Sequence, residues 1–249
     1  MPPLIELQKI SFTYPGSTRP VLDRVSIGLY EQQRIGLIGP NGSGKTTLFH
    51  VIVGLLTPRA GSLFFKGRPV RDEKGFRELR REVGLLFQDA DDQLFSPTVL
   101  EDVAFGPLNL GASPAEAQEI ALHTLNKLGL ADLEKRITHQ LSGGEKKLVS
   151  LATILAMQPK ALLLDEPTNN LDPATRARLI QILSGLDLAL VTISHDWDFL
   201  AETSRGIYAM DQGRVAQCDK SCLHDHRHAH PYGGQPHQHG DGKGARNIL

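Results

Sequence analysis

The chain has 249 residues, 40% hydrophobic and 22% charged, an ordinary balance for a globular protein with a real core. Lys plus Arg number 27 against 28 Asp plus Glu, a formal net charge of -1, so nothing in the average marks nucleic acid or an acidic membrane surface as a partner. Two Cys exclude a disulfide scaffold, no apolar run approaches the roughly 18–20 residues that span a bilayer, and Met1-Pro2-Pro3-Leu4 lacks the basic and long apolar regions of a signal peptide.

In chain order, residues 4–10 alternate apolar and polar as a half-buried strand does, and 21–29 repeat the pattern after the turn chemistry of Tyr14-Pro15-Gly16-Ser17. Residues 34–38 predict a short buried strand ending at Gly39, followed by a helix over 46–55 closed by Gly54 and the later Pro58. Another buried strand covers 83–87. From Asp89 to about Met157 the pattern turns mostly helical, with a helix over 114–128 capped by Ser113 and opened by Pro114, and a second over 144–157. A strand over 161–164, a helix over 173–183 capped by Asp172, a strand over 188–193 and a hairpin over 206–210 and 214–217 complete the body. The sum is an α/β core with a helical insertion at about 89–157, without internal repeats. Residues 1–217 read as one domain. From Cys218 onward large apolar side chains almost vanish, so 218–249 is expected to be a flexible tail without a ligand.

Gly39-Pro40-Asn41-Gly42-Ser43-Gly44-Lys45-Thr46 matches GxxxxGK[ST] between a predicted strand and a predicted helix. Glycines let successive N–H groups turn inward around phosphate oxygens, and the helix N-terminus adds its dipole. Lys45 is expected to reach the β- and γ-phosphates and the Thr46 hydroxyl to ligate Mg²⁺, with Thr47 beside it in the same site. Alone the motif implies a nucleoside triphosphate and no more. Residues 161–164 end in Asp165-Glu166. Asp165 is placed to hold Mg²⁺, and Glu166, one residue on, to polarise an attacking water; the bland reading is a helix cap before Pro167. Gln88 at the end of its strand can contact both Mg²⁺ and water. His195 can donate to the γ-phosphate, although a lone His is more often structural.

Leu141-Ser142-Gly143-Gly144-Glu145, about 20 residues before Asp165, makes the whole set resemble an ABC ATPase. That family implies a P-loop NTPase core with an antiparallel β subdomain and a helical subdomain. The resemblance covers about residues 4–217 and runs through Tyr14, the phosphate loop, Gln88, the Leu141 motif, Asp165 and Glu166, Asn170-Leu171-Asp172 and His195. It implies that Tyr14 stacks on adenine, and that Ser142, Gly143 and Gly144 contact the γ-phosphate held by a second ATPase subunit. Asp172 then communicates between the two sites. Glu145 stands where many members have Gln, outside the phosphate-contacting trio.

Asp91-Asp92-Gln93-Leu94-Phe95-Ser96-Pro97-Thr98-Val99 and Glu101-Asp102-Val103-Ala104-Phe105-Gly106-Pro107 narrow the resemblance to energy-coupling-factor ATPases, closest to cobalt and nickel importer subunits. In those proteins this segment faces the coupling helices of an integral membrane partner; a plain solvated loop is the alternative. Ala90 departs from the usual Pro, and the tail is too short for the C-terminal dimerisation region many relatives carry. The implied protein is a Mg-ATPase dimer, peripheral at the cytoplasmic face of the membrane, docked on transmembrane and substrate-capture subunits. A vitamin or another solute served by the same machinery is the first rival. A soluble ATPase acting on ribosomes or DNA is the second, disfavoured by the single cassette and neutral charge.

The tail holds Cys218, Cys222, His224, His226, His228 and His230, then His237 and His239. Imidazole suits Ni²⁺, Co²⁺, Zn²⁺ and Cu²⁺, and the spacing is not that of a zinc finger. Three readings stand: a Ni²⁺- or Co²⁺-binding buffer or sensor, an incidental solvated tail, or a partly engineered addition.

Overall fold

In the computed structural model, which describes residues 2–218, β1 (Ile5–Phe12) pairs antiparallel with β2 (Leu22–Leu29). Ile5, Leu7, Ile10 and Phe12 all face the core although the spacing changes from odd to even. The register shifts between Leu7 and Ile10, where Lys9 adopts φ +53°, and this bulge restores the inward phase. β3 (Arg34–Ile38) follows as expected and feeds α1 (Lys45–Ile52). That helix stops short of residue 55 because the chain turns out through Gly54 at φ +76°. β4 (Ala60–Phe65) and β5 (Arg68–Val70) form a hairpin across Lys66-Gly67, both with positive φ as a tight primed turn requires. α2 (Glu73–Glu82) starts on Asp72, whose side chain accepts from the Gly75 N–H at 2.9 Å.

β6 (Val83–Leu86) leads through an irregular segment to α3 (Val99–Asn109) and α4 (Pro114–Lys127). Both helices open on capping boxes, Thr98 with Glu101 and Ser113 with Glu116. α5 (Gly143–Leu155) begins one residue before the expected start, on a third capping box made by Ser142 and Glu145. β7 (Ala161–Asp165) is buried throughout. α6 (Pro173–Ser184) is capped by Asp172, as its sequence implies. β8 (Ala189–Ile193), α7 (Trp197–Thr203), β9 (Gly206–Asp211) and β10 (Arg214–Cys218) close the described chain.

β2-β1-β4-β5 make a four-stranded antiparallel sheet, and β10-β9-β3-β8-β7-β6 a six-stranded one, in which β3 pairs parallel with both β8 and β9, and β7 parallel with both β8 and β6. One apolar core lies between the antiparallel sheet, α1 and the neighbouring strands; another joins α3, α4 and α5 to β6, β7, α6 and α7. The runs in β7 and β8 are apolar almost without alternation because both faces are covered.

α5 approaches β6 closely enough that a Cβ on Gly84 would lie 2.0 Å from Ile154 Cγ2. Gly84→Ala is therefore expected to destabilise the protein by about 1–3 kcal/mol through overpacking. Ile154→Ala in the same chain should relieve it, so that the double variant is less destabilised than the sum of the singles in thermal denaturation. Strict additivity would show that this contact does not set the spacing.

Candidate functional site

The phosphate loop is held by contacts that only glycine permits. Gly39 has φ +148°, and a Cβ there would sit 2.0 Å from the Met210 carbonyl oxygen of β9. Gly44 has φ +107°, and its Cβ would lie 2.7 Å from the Val21 carbonyl oxygen. The loop is cross-braced by Ser43 N–H to Pro40 O at 3.2 Å and Gly213 N–H to Ser43 O at 3.2 Å. Pro40, Asn41 and Gly42 form its outer turn.

Lys45 is buried, with Nζ donating to the Gly39 carbonyl at 2.8 Å and the Pro40 carbonyl at 3.1 Å. Burial lowers its pKa, while Glu166 and Asp165 pull the other way. Thr46 is exposed and Thr47 buried. The Thr47 hydroxyl is 3.1 Å from the Tyr14 hydroxyl, and the Tyr14 ring stands edge-on to Phe12 at 4.9 Å, still 41% exposed.

Asp165 ends β7 and is buried. Burial pushes its carboxyl above the usual range, opposed by the Thr46 hydroxyl and by His50, Lys45 and Lys147. Its Oδ1 has no hydrogen-bond partner among the described residues. A buried acidic oxygen with spare acceptor capacity, beside a threonine hydroxyl at a helix start, fits a hard cation with oxygen ligands such as Mg²⁺. Of the expected Mg²⁺ donors, the fold brings Thr46 and Asp165 together.

Glu166 is buried and takes the left-handed φ of +46°, a conformation that costs on the order of 1–3 kcal/mol and recurs at functional sites. Its N–H donates to Ile193 O at 2.9 Å. One carboxylate oxygen accepts from the His195 N–H at 3.3 Å; the other lies 3.3 Å from His195 Nε2, which is also 3.2 Å from Asn41 Oδ1. Asn41, His195 and Glu166 thus meet above the phosphate loop. Arg176 grips Asp196 with two bonds, at 2.6 and 2.9 Å, and so anchors the loop that carries His195. Burial raises the Asp196 pKa, but the Arg176 guanidinium holds the carboxyl below its usual range.

Gln88 corrects one expectation: it does not end β6 but lies two residues beyond it, exposed, after Phe87. The Phe87 and Gln88 carbonyls accept from Lys147 Nζ, at 3.1 and 2.6 Å. Lys147, buried on α5, belongs to the Glu145-Lys146-Lys147 run, which fits the energy-coupling-factor resemblance but to which the sequence assigns no chemical role.

Ser142 and Gly143 are exposed at the start of α5. The Glu145 carboxylate accepts the Ser142 N–H at 2.7 Å, and its hydrogen bonds with Ser142 hold it below the usual carboxylate range. Gly144 touches α6: a Cβ there would lie 3.1 Å from the Thr175 side chain, whose hydroxyl donates to Asp172. Ser142, Gly143, Gly144 and Asp172 therefore form a linked cluster. Among the described residues no hydrogen bond or ion pair joins it to the phosphate loop.

A second surface follows Gln88. Phe95 is 66% and Phe105 45% exposed, yet their rings meet edge to face at 4.7 Å. Asp102, buried beneath them, accepts the Phe95 and Ser96 N–H groups at 3.2 and 2.9 Å, and burial raises its pKa. Among the described residues no helix is long and apolar enough to cross a membrane, and no group of three or more His, Cys, Asp or Glu could hold a metal ion. Of the tail donors only Cys218 is described, at the end of β10; Cys222, His224, His226, His228, His230, His237 and His239 lie outside the described residues.

The chain is similar to known proteins. The ABC transporter family matches residues 22–169. A provisionally named ABC transporter ATP-binding protein of Nitratidesulfovibrio vulgaris is 54% identical over 237 residues, covering 95% of this chain and 86% of its own. The energy-coupling factor transporter ATP-binding protein of Methanothermobacter thermautotrophicus is 43% identical over 216 residues, covering 85% and 69%. Among solved structures, cbiO1 of Clostridium perfringens, part of the ABC transporter complex cbiONQ, superposes with a TM-score of 0.76 at 32% identity over 87% of this chain and 88% of its own.

Proposed function

The chain belongs to the ABC transporter ATP-binding family, and on that premise we propose that it is the ATP-hydrolysing subunit energising uptake of a transition-metal ion, cobalt or nickel, through an energy-coupling-factor type transporter. The observation that carries the ATPase reading is the buried Glu166 carboxylate, clasped by His195 and set one residue after Asp165 and beside the phosphate loop.

Loop N–H groups and Lys45 hold the triphosphate, with the Tyr14 ring under the base. Thr46, Asp165 and Gln88 would hold Mg²⁺, which would supply positive charge to offset that of the triphosphate. Glu166 takes a proton from water as the water oxygen bonds to the γ-phosphorus and the bond to the β–γ bridging oxygen breaks, releasing ADP and phosphate. His195 donates to the γ-phosphoryl oxygens and holds Glu166 in place. Ser142, Gly143, Gly144 and Asp172, linked to one another and apart from this chain's own loop, complete the site of a second ATPase subunit. The exposed Phe95–Phe105 pair supplies the apolar contact for the transmembrane subunit, with a substrate-capture subunit beyond it, at the cytoplasmic face. Neither the site nor the charge balance calls for nucleic acid.

The choice of a metal ion rests on the donors of residues 218–249; a vitamin or other small solute would use the same ATPase. Purification of the full chain from detergent-solubilised membranes decides between them. A co-purifying integral protein that captures Ni²⁺ or Co²⁺ supports the reading, and one that captures an organic solute replaces it.

Glu166→Gln should leave ATP binding intact and lower kcat by about 10²–10⁴-fold; an unchanged kcat would remove Glu166 from the chemistry. In calorimetry at pH 7.5 the full chain should bind Ni²⁺ or Co²⁺ more tightly than millimolar. Affinity should weaken as pH falls through about 6.5, because protonated imidazole cannot ligate. Replacing Cys218, Cys222, His224, His226, His228, His230, His237 and His239 by Ala should abolish that binding, and retention of it would sink the tail's role.

A further inference from the structure

Lys147 is only 4% exposed, and among the described residues its ammonium hydrogen-bonds to no carboxylate. Both of its bonds go to consecutive main-chain carbonyls, Phe87 at 3.1 Å and Gln88 at 2.6 Å. Burying an ammonium is costly unless it is fully hydrogen-bonded. Burial lowers the Lys147 pKa, with Asp89 and Asp165 acting against that from nearby.

The segment that receives these bonds is irregular. β6 stops at Leu86, and the next turn covers Ala90–Asp92. The two carbonyls would otherwise be without a strand or helix partner. Converging on one nitrogen, they fix two successive peptide planes, and with them the direction in which the Gln88 side chain leaves the backbone. A lysine suits the task because one atom carries three donors on a stem long enough to reach from a helix. Glutamine would bring an oxygen toward two oxygens, whereas arginine keeps both the charge and the donors.

Two further contacts tie the same segment to α5. Gln93 Nε2 donates to Ser150 O at 2.8 Å and to Thr153 Oγ1 at 3.0 Å, and Lys146 pairs with Asp91 at 2.6 Å. The Lys146 pair is part exposed and contributes little. Neither contact reaches Gln88. The helix that supplies all three begins at the Ser142, Gly143 and Gly144 cluster.

We infer that Lys147 is a positioning residue: it sets the placement of Gln88 and makes that placement follow α5, so the helix that meets the second subunit's nucleotide also aims this subunit's own glutamine. The inference rests on the reading that Gln88 serves the Mg-ATP site. Its test uses the full chain with Lys147→Met, Lys147→Arg, Gln88→Ala and the Gln88→Ala/Lys147→Met double variant.

In the nucleotide-free protein, Lys147→Met should speed amide hydrogen exchange over residues 87–93 by about tenfold while β7 and the rest of α5 keep their protection. Its kcat should fall by about tenfold with the KM for ATP within about threefold, and Lys147→Arg should recover most of the loss. In the Gln88→Ala background Lys147→Met should change kcat by less than about twofold. Unchanged exchange at 87–93, loss of protection throughout the chain, or multiplying effects in the double variant would each overturn the inference. If Lys147→Met does not fold, Lys147→Gln carries the same readouts with a polar group of similar reach. Should Gln88→Ala itself retain full activity, the reading of Gln88 fails, whereas the exchange result separately judges the tether.

Discussion

Parallel strands that stop at the same height are the constraint on which the site depends. Leu37 of β3 and Asp165 of β7 both lie level with Ile193 of β8, and Leu86 of β6 lies level with Leu164. Four groups of the site then fall within two residues of that line: Gly39 after β3, Glu166 after β7, His195 after β8, Gln88 after β6. Backbone hydrogen bonding sets this alignment, not the polar groups themselves. A one-residue slip in any strand would carry its acid, amide or imidazole away from the loop and turn its apolar side chains over.

Within that frame the polar groups oppose stability. Asp165 is held buried against its preference for water, Glu166 against its preferred backbone, and Lys45 and Lys147 against desolvation. The apolar packing of β7 and β8 makes this tolerable, because those strands are buried on both faces and have little freedom to relax. Strain and desolvation concentrated at the C-terminal ends of the parallel strands are what a pre-arranged phosphoryl-transfer site requires.

Much of the fold was legible in the residues. The strand over 34–38 and the caps at Ser113 and Asp172 appear where turn and capping chemistry put them. The hairpin of β4 and β5 was not anticipated, since Ala60, Gly61 and Ser62 are exposed and carry no apolar alternation. α2 was missed because its apolar face is only Phe76 and Leu79 in an otherwise charged run. α7 is too short for a periodicity to emerge. In the site, the glycines, Lys45, Asp165 and Glu166 declare themselves through spacing. Lys147 does not: its partners are carbonyls some 60 residues away, and nothing in a run of charged residues tells which one turns inward.

The Tyr14 ring has its hydroxyl engaged by Thr47 and stands perpendicular to the Phe12 ring. What it can offer a nucleobase is therefore flatness. Every base has a π-face, and a platform of this kind grips shape without reading identity. Such a platform leaves discrimination between adenine and guanine to supply: the more abundant triphosphate occupies it by mass action.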